Sequence, residues 1–152
     1  MIDLGLCFTY AYSAGTAADL YQAVTADAAS ANYIDLDVAN LNIAAGRPIY
    51  LIVRVGTAED GTATSLEIRL QTDTASAFNV ALKDVAMWRF LAAQLTAGAV
   101  LINQALPVQK YQQYMRLYFN AFAACGALTI CAYLSAGPES APAQIDLVEA
   151  GS

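Results

Sequence analysis

The sequence predicts an all-β sandwich or barrel, and two observations carry that prediction. Several segments alternate apolar and polar residues with a period of two, the pattern of a half-buried strand. About eight such short segments follow one another, separated by turn signals at fairly regular intervals. The eight-stranded jelly roll is one member of this class. Periodicity alone does not choose among the members.

Taken in order, residues 1–20 differ from the rest. Leu6, Phe8, Tyr10 and Tyr12 alternate before Ser13-Ala14-Gly15-Thr16 breaks the pattern. This is a strand or an extended arm. Residues 17–29 form a candidate helix, weakened by Val24-Thr25 and by the lack of an apolar stripe. Residues 33–38 alternate and predict a strand, and 40–46 a connection. Residues 48–55 are apolar on both faces apart from Arg54, as in a central strand. In residues 65–72, Leu66, Ile68 and Leu70 face one way and Glu67, Arg69 and Gln71 the other. The two segments read as a β-hairpin with a long tip over residues 56–64. Residues 78–82 suggest a short edge strand. Residues 87–95 suit a strand or a helical turn, and 100–102 a strand. In residues 114–120, Tyr114, Arg116, Tyr118 and Asn120 share one face and Met115, Leu117 and Phe119 the other. Aromatic and β-branched content supports a strand there. Residues 128–134 form another apolar strand, 137–142 a loop, and 145–148 a final edge strand or tail.

At 152 residues the chain is expected to be one domain with a sizeable core. Charged residues make up only 13%, about half the usual share, which favours a surface partly covered by partners over an alanine-rich but ordinary monomer. The net charge is −6, and the seven basic residues are scattered singly between Arg47 and Arg116. No basic patch of a nucleic-acid binder is evident. Both ends carry only acids, either as solvated tails or as arms for a basic partner. Three cysteines, Cys7, Cys125 and Cys131, without CxxC spacing argue against a disulfide framework and suit a reducing cytoplasm. The start, Met1-Ile2-Asp3-Leu4-Gly5, lacks a positive n-region. Residues 117–135 are uncharged and long enough to span a bilayer. Dilution by Asn120, Gly126, Thr129 and alanines, and the lack of a basic anchor, favour two buried strands meeting near Cys125-Gly126.

The sequence contains no histidine. That removes the Ser-His-Asp and Cys-His arrangements, the commonest general base and most zinc and copper sites. No phosphate-binding glycine loop appears. Asp35 and Asp37 share a strand face and would make a calcium set with Asp73 or Asp60. Solvent-facing carboxylates are the simpler reading. Glu59-Asp60-Gly61-Thr62 lacks the further alternate acids of a calcium loop. No metal, cofactor or catalytic residue is expected, and no enzyme. The strand arginines Arg54, Arg69 and Arg116 suggest pairing with Glu67 or with subunit neighbours, a cross-strand ion pair being the simpler reading.

Several motifs, in their order, resemble the capsid cement (decoration) proteins of Bordetella-type tailed phages. They are Gln22-Ala23-Val24-Thr25, Ala28-Ala29-Ser30, Ile34-Asp35-Leu36, Pro48-Ile49-Tyr50-Leu51, Leu66-Glu67-Ile68-Arg69-Leu70-Gln71-Thr72, Leu106-Pro107 and Tyr114-Met115-Arg116-Leu117-Tyr118. The resemblance covers about residues 20–135. It implies a jelly-roll-like antiparallel β-sandwich of about eight strands over 20–135. Extended arms would flank it, N-terminal over 1–19 and C-terminal over 136–152. It implies a structural virion protein on the outer surface of the head, made in the bacterial host cytoplasm, that clamps neighbouring major capsid proteins. Its partners would be the major capsid protein and itself, a dimer being favoured, with no nucleic acid and no membrane. The candidate partner-binding residues are Phe8, Tyr10, Tyr12 and Tyr21 near the N-terminus, because aromatic side chains favour interfaces. Glu67 and Arg69 join them on the outward strand face. A carbohydrate- or ligand-binding β-sandwich, with clustered tyrosines as platform, is the alternative.

Overall fold

The computed structural model describes residues 6–10, 20–37, 48–61 and 63–138. Among these, nine strands build two antiparallel sheets. They are β1 (Gln22–Ala23), β2 (Ala28–Ala29), β3 (Ile34–Asp35), β4 (Tyr50–Val55), β5 (Ser65–Asp73), β6 (Lys83–Leu91), β7 (Val100–Ala105), β8 (Tyr114–Phe122) and β9 (Thr129–Ser135). One sheet has the order β1-β9-β4-β7 and the other β2-β8-β5-β6, with β3 also on the edge of β8.

β2 and β3 are two pieces of one interrupted strand. Ala28 and Ala29 pair with Phe119 and Tyr118, and Ile34 and Asp35 with Met115 and Tyr114. Between them the Ser30 hydroxyl accepts from the Leu117 amide and donates to the Asn32 carbonyl, so the ladder bends without orphaning its polar groups. Counted that way there are eight strands, and the first pairs with the eighth, the second with the seventh, the third with the sixth and the fourth with the fifth. This nested wrapping is the jelly roll.

The core follows from the alternation. Leu51, Val53 and Val55 of β4, Leu66, Ile68 and Leu70 of β5, Met115, Leu117 and Phe119 of β8 and Ile130, Ala132 and Leu134 of β9 form one buried cluster. Each such large side chain contributes about 1.5–3 kcal/mol of burial free energy. Trp88 and Phe90 of β6 pack partly buried against the same cluster. The Trp88 indole also donates to Gln104 of β7 (3.1 Å), tying the two sheets at their last described strands.

Several expectations are corrected. β4 and β5 are not a hairpin: β4 pairs with β7 and β9, and β5 with β6 and β8. Both strands must bury an apolar face, and two sheets stacked face to face satisfy both at once. The segment between them crosses from one sheet to the other. The described part of the candidate helix, residues 20–29, carries β1 and β2 instead. Residues 78–82 lie in the β5–β6 loop, and residues 87–95 are the end of β6 followed by a single 3-10 turn at Ala92–Gln94. The uncharged stretch at 117–135 is most of β8 and all of β9, in different sheets. No helix among the described residues is long and apolar enough to cross a membrane. The expected strand at 145–148 and the C-terminal arm over 139–152 lie outside the described residues.

The N-terminal arm is also corrected where it is described. Phe8 is fully buried in the main core, its amide donates to the Ala132 carbonyl (2.8 Å), and its carbonyl accepts from Asn32 (2.8 Å). Cys7 forms an isolated antiparallel bridge with Tyr133. Residues 6–10 are therefore a part of the sandwich. A deletion of residues 1–19 would remove a core side chain.

Candidate docking face

The outer face of the β2-β8-β5-β6 sheet brings aromatic and cationic side chains together. Alternation places Glu67, Arg69 and Gln71 of β5 opposite the core, and Tyr114, Arg116, Tyr118 and Asn120 of β8 beside them. The ladder makes them neighbours, with Glu67 opposite Asn120, Arg69 opposite Tyr118, Gln71 opposite Arg116 and Asp73 opposite Tyr114. On the far side of β5, Arg89 and Met87 of β6 stand opposite Glu67 and Arg69. Three of the seven basic residues therefore share one face, though the sequence spaces them at 69, 89 and 116.

A chain of hydrogen bonds runs across this face. Arg69 donates through Nε to Glu67 and through Nη1 to Asp84 (3.3 Å). Gln71 donates to the other oxygen of Asp84 (2.8 Å) and accepts from Arg116 Nε (2.9 Å). The Arg116 guanidinium lies 4.3 Å from the centre of the Phe78 ring and 5.7 Å from that of Tyr118. Burial lowers its pKa, but it remains a cation at any physiological pH. Cation–π contacts of this kind contribute about 0.5–1 kcal/mol at exposed sites. Arg89 is held similarly, 4.5 Å from the Phe122 ring centre and donating to the Ser65 hydroxyl (3.1 and 3.2 Å).

The β5–β6 loop sets the edge of this face, and Asp73 sets the loop. Asp73 is fully buried at the end of β5. Its carboxylate accepts the amides of Ala75 (3.0 Å), Val80 (3.2 Å) and Ala81 (3.0 Å) and the Thr74 hydroxyl (3.3 Å). Burial pushes its pKa up, but the donors from Ala75, Ala81, Val80 and Thr74 outweigh it, and the net shift is downward. The tightened loop carries Phe78 at φ +53°, a conformation uncommon for a bulky side chain. That twist brings the Phe78 ring to Arg116 and to Tyr33, whose ring centroid lies 6.2 Å away. Tyr33 in turn meets Tyr114 edge-on at 5.5 Å.

The sequence-predicted residues are distributed unevenly. Arg69 lies at the middle of this face, its side chain about one-third exposed. Glu67 is beside it but buried, because Arg69 folds over it. Phe8 is a core residue, not a surface anchor. Tyr10 is partly buried, packed with Leu20 and Tyr50 against a second cluster of Cys7, Ile52, Cys131 and Tyr133 on the opposite sheet. Tyr21 is 42% exposed. Its ring crosses Gly56 so closely that a Cβ there would lie 2.5 Å from Cδ1, so only glycine fits beneath it. Tyr12 lies outside the described residues. Tyr33, Phe78, Asp84, Tyr114 and Tyr118 are absent from the partner candidates read from the sequence, whereas Arg116 is among the strand arginines open to a subunit neighbour. The signal for Tyr114 and Tyr118 is the alternation that puts them on one face with Arg116.

The acidic residues weighed for calcium do not converge. Asp73 spends its oxygens on backbone amides, and Asp35 accepts from Gln113 and from the Asp37 amide. Among the described residues, no three His, Cys, Asp or Glu side chains are grouped to hold a metal. All three cysteines are buried and outside any disulfide. Burial, with the charges of Glu59 and Asp60, pushes the Cys125 thiol up, away from a reactive thiolate.

The fold and this face define a jelly-roll β-sandwich with an aromatic, arginine-rich outer sheet. The chain belongs to the Bbp16 family, whose model matches residues 18–136. No curated protein matches the chain.

Proposed function

We propose that this is a structural virion protein, a capsid cement protein that sits on the outer surface of a tailed-phage head and clamps neighbouring major capsid proteins. The observation that carries the proposal is membership of the Bbp16 family over residues 18–136, which hold all nine strands described, under a name that suggests a Bordetella phage protein. The role asks for binding rather than chemistry, in keeping with a chain that has no histidine. Its partners are the major capsid protein and further copies of itself, and neither nucleic acid nor membrane is needed. Binding energy at a subunit seam stabilises the assembled state over the separated one. Many linked copies make modest single-site affinity sufficient.

The outer face of the β2-β8-β5-β6 sheet is the surface we assign to the capsid. Arginine and tyrosine are enriched at interfaces, and stacking has already ordered Arg89 and Arg116. The decisive measurement is whether the chain copurifies with washed, assembled heads at a copy number comparable to the major capsid protein. Its absence from such heads would sink the proposal. Arg116→Ala with Tyr118→Ala should lower head occupancy while leaving the sandwich folded by circular dichroism.

One observation favours a second reading. Tyr33, Tyr114 and Tyr118 lie on or beside the same face, and such rings also suit sugars. A carbohydrate-binding module would give hits on a glycan array that Tyr118→Ala abolishes, and no hits would dismiss it.

A further inference from the structure

We infer that the open edge of β6 pairs antiparallel with β6 of a second copy, in a register centred on Met87. This deepens the proposed self-association, and it rests on that reading only for its biological setting.

Among the described residues, nothing pairs with the far side of β6, although this strand is nine residues long. A long free edge presents backbone donors and acceptors that invite another strand. The protections on the strand are the charges of Lys83, Asp84 and Arg89 and a bulge opposite Leu70/Gln71, with no proline in the strand. Exposed apolar side chains also concentrate here. Met87 is 60% exposed and Leu91 62%, and the lead-in adds Val80 and Leu82.

The register follows from the ladder with β5. Positions facing outward along β6 are Leu91, Arg89, Met87 and, past the bulge, Asp84, opposite Ser65, Glu67, Arg69 and Gln71. A two-fold axis through Met87 then sets Met87 against its own copy and Arg89 against the partner's Asp84. Charge meets opposite charge twice, and the exposed Met87 side chains meet each other. Shifting the axis by one position sets Leu91 against Asp84, or Met87 against Asp84. Shifting it by two sets Arg89 or Asp84 against itself. Only the Met87 register is self-complementary on the outer face. The Asp84 side chain is 46% exposed, so it can accept from a partner's arginine while holding Arg69 and Gln71, and Arg89 turns from Ser65 and Phe122 to reach it. Because the axis is perpendicular to the sheet, both outer faces end on one side, as a single wider docking surface.

The test uses the full chain, free of phage heads. Sedimentation should give a dimer. Arg89→Asp should weaken it by at least about tenfold, since both ion pairs become like-charged contacts. Met87→Cys should form a disulfide-linked dimer on oxidation, because directly opposed strand residues have Cβ atoms about 4.5–5.5 Å apart. The three native cysteines are buried. Val108→Cys, more exposed at 81% but outside β6, should not cross-link. A monomer at tens of micromolar would overturn the inference, as would a dimer that neither cross-links through Met87→Cys nor responds to Arg89→Asp. A dimer that never appears on heads would instead count against the cement reading alone.

Discussion

The two outer faces of the sandwich obey the same strand alternation and end in opposite states. On the β1-β9-β4-β7 sheet the outward residues include Ile52, Cys131 and Tyr133, all buried with Cys7 in a second small core. The chain's own N-terminal residues close it, with Cys7 bridging to Tyr133 and the Thr9 hydroxyl joining the Ala132 amide (2.9 Å) to the Leu20 carbonyl (2.8 Å). On the β2-β8-β5-β6 sheet the outward residues are Glu67, Arg69, Gln71, Arg116 and Tyr118. They satisfy one another laterally and leave their upper surface to solvent or a partner. Apolar outward residues force the chain to supply a cover. Polar and aromatic ones do not, and that leaves the second face available for function.

This contrast can be broken most severely at its covered side. Phe8→Ala removes the largest side chain that the N-terminal segment contributes to the core, and should cost about 3–5 kcal/mol in chemical denaturation. Ile52→Ala, under the cover, should cost about 2–3 kcal/mol, the lower end for isoleucine because its cluster is small. If Ile52→Ala proved neutral, the second core would be no more than a loose overlay.

Asp73→Asn tests whether the loop frames the open face, and its effect is legible in pH. The folded pKa lies below the ordinary carboxylate value of 3.8, so the contribution is fully present above that pH and lost as pH falls through the lower folded value. The wild type should therefore lose stability below about pH 4 more steeply than Asp73→Asn. Parallel acid limbs would remove Asp73 from the account. The smallest effect belongs to the open face itself. Arg116→Ala should cost about 1 kcal/mol, from one stacked guanidinium and one hydrogen bond. A loss as large as that of Phe8→Ala would mean that this face is structural rather than free.

Much of the architecture was readable in advance where strands alternate cleanly. β5 and β8 were readable residue by residue because a period of two needs only local sequence. β4 was readable as central because both its faces are apolar, and it does lie between β9 and β7. The pairing of β4 with β5 was misread because sequence proximity favours hairpins, whereas burial of two one-sided strands favours opposite sheets. Phe8 was misread because an aromatic alternating near a terminus looks the same whether it covers its own sheet or a neighbour's. At the docking face, Arg69 was visible on its strand, but its neighbours Arg116 and Asp84 come from residues 47 and 15 positions later.

The sequence by itself therefore determined which residues of each strand turn inward, because alternation is a local property and burial follows hydropathy. It also determined the absence of histidine chemistry. Only the tertiary structure decided which strands are neighbours, since pairing depends on how two sheets close around one core. That closure brought Arg69, Arg89 and Arg116 to one face, turned Phe8 inward, and left β6, among the described residues, at an edge of its sheet.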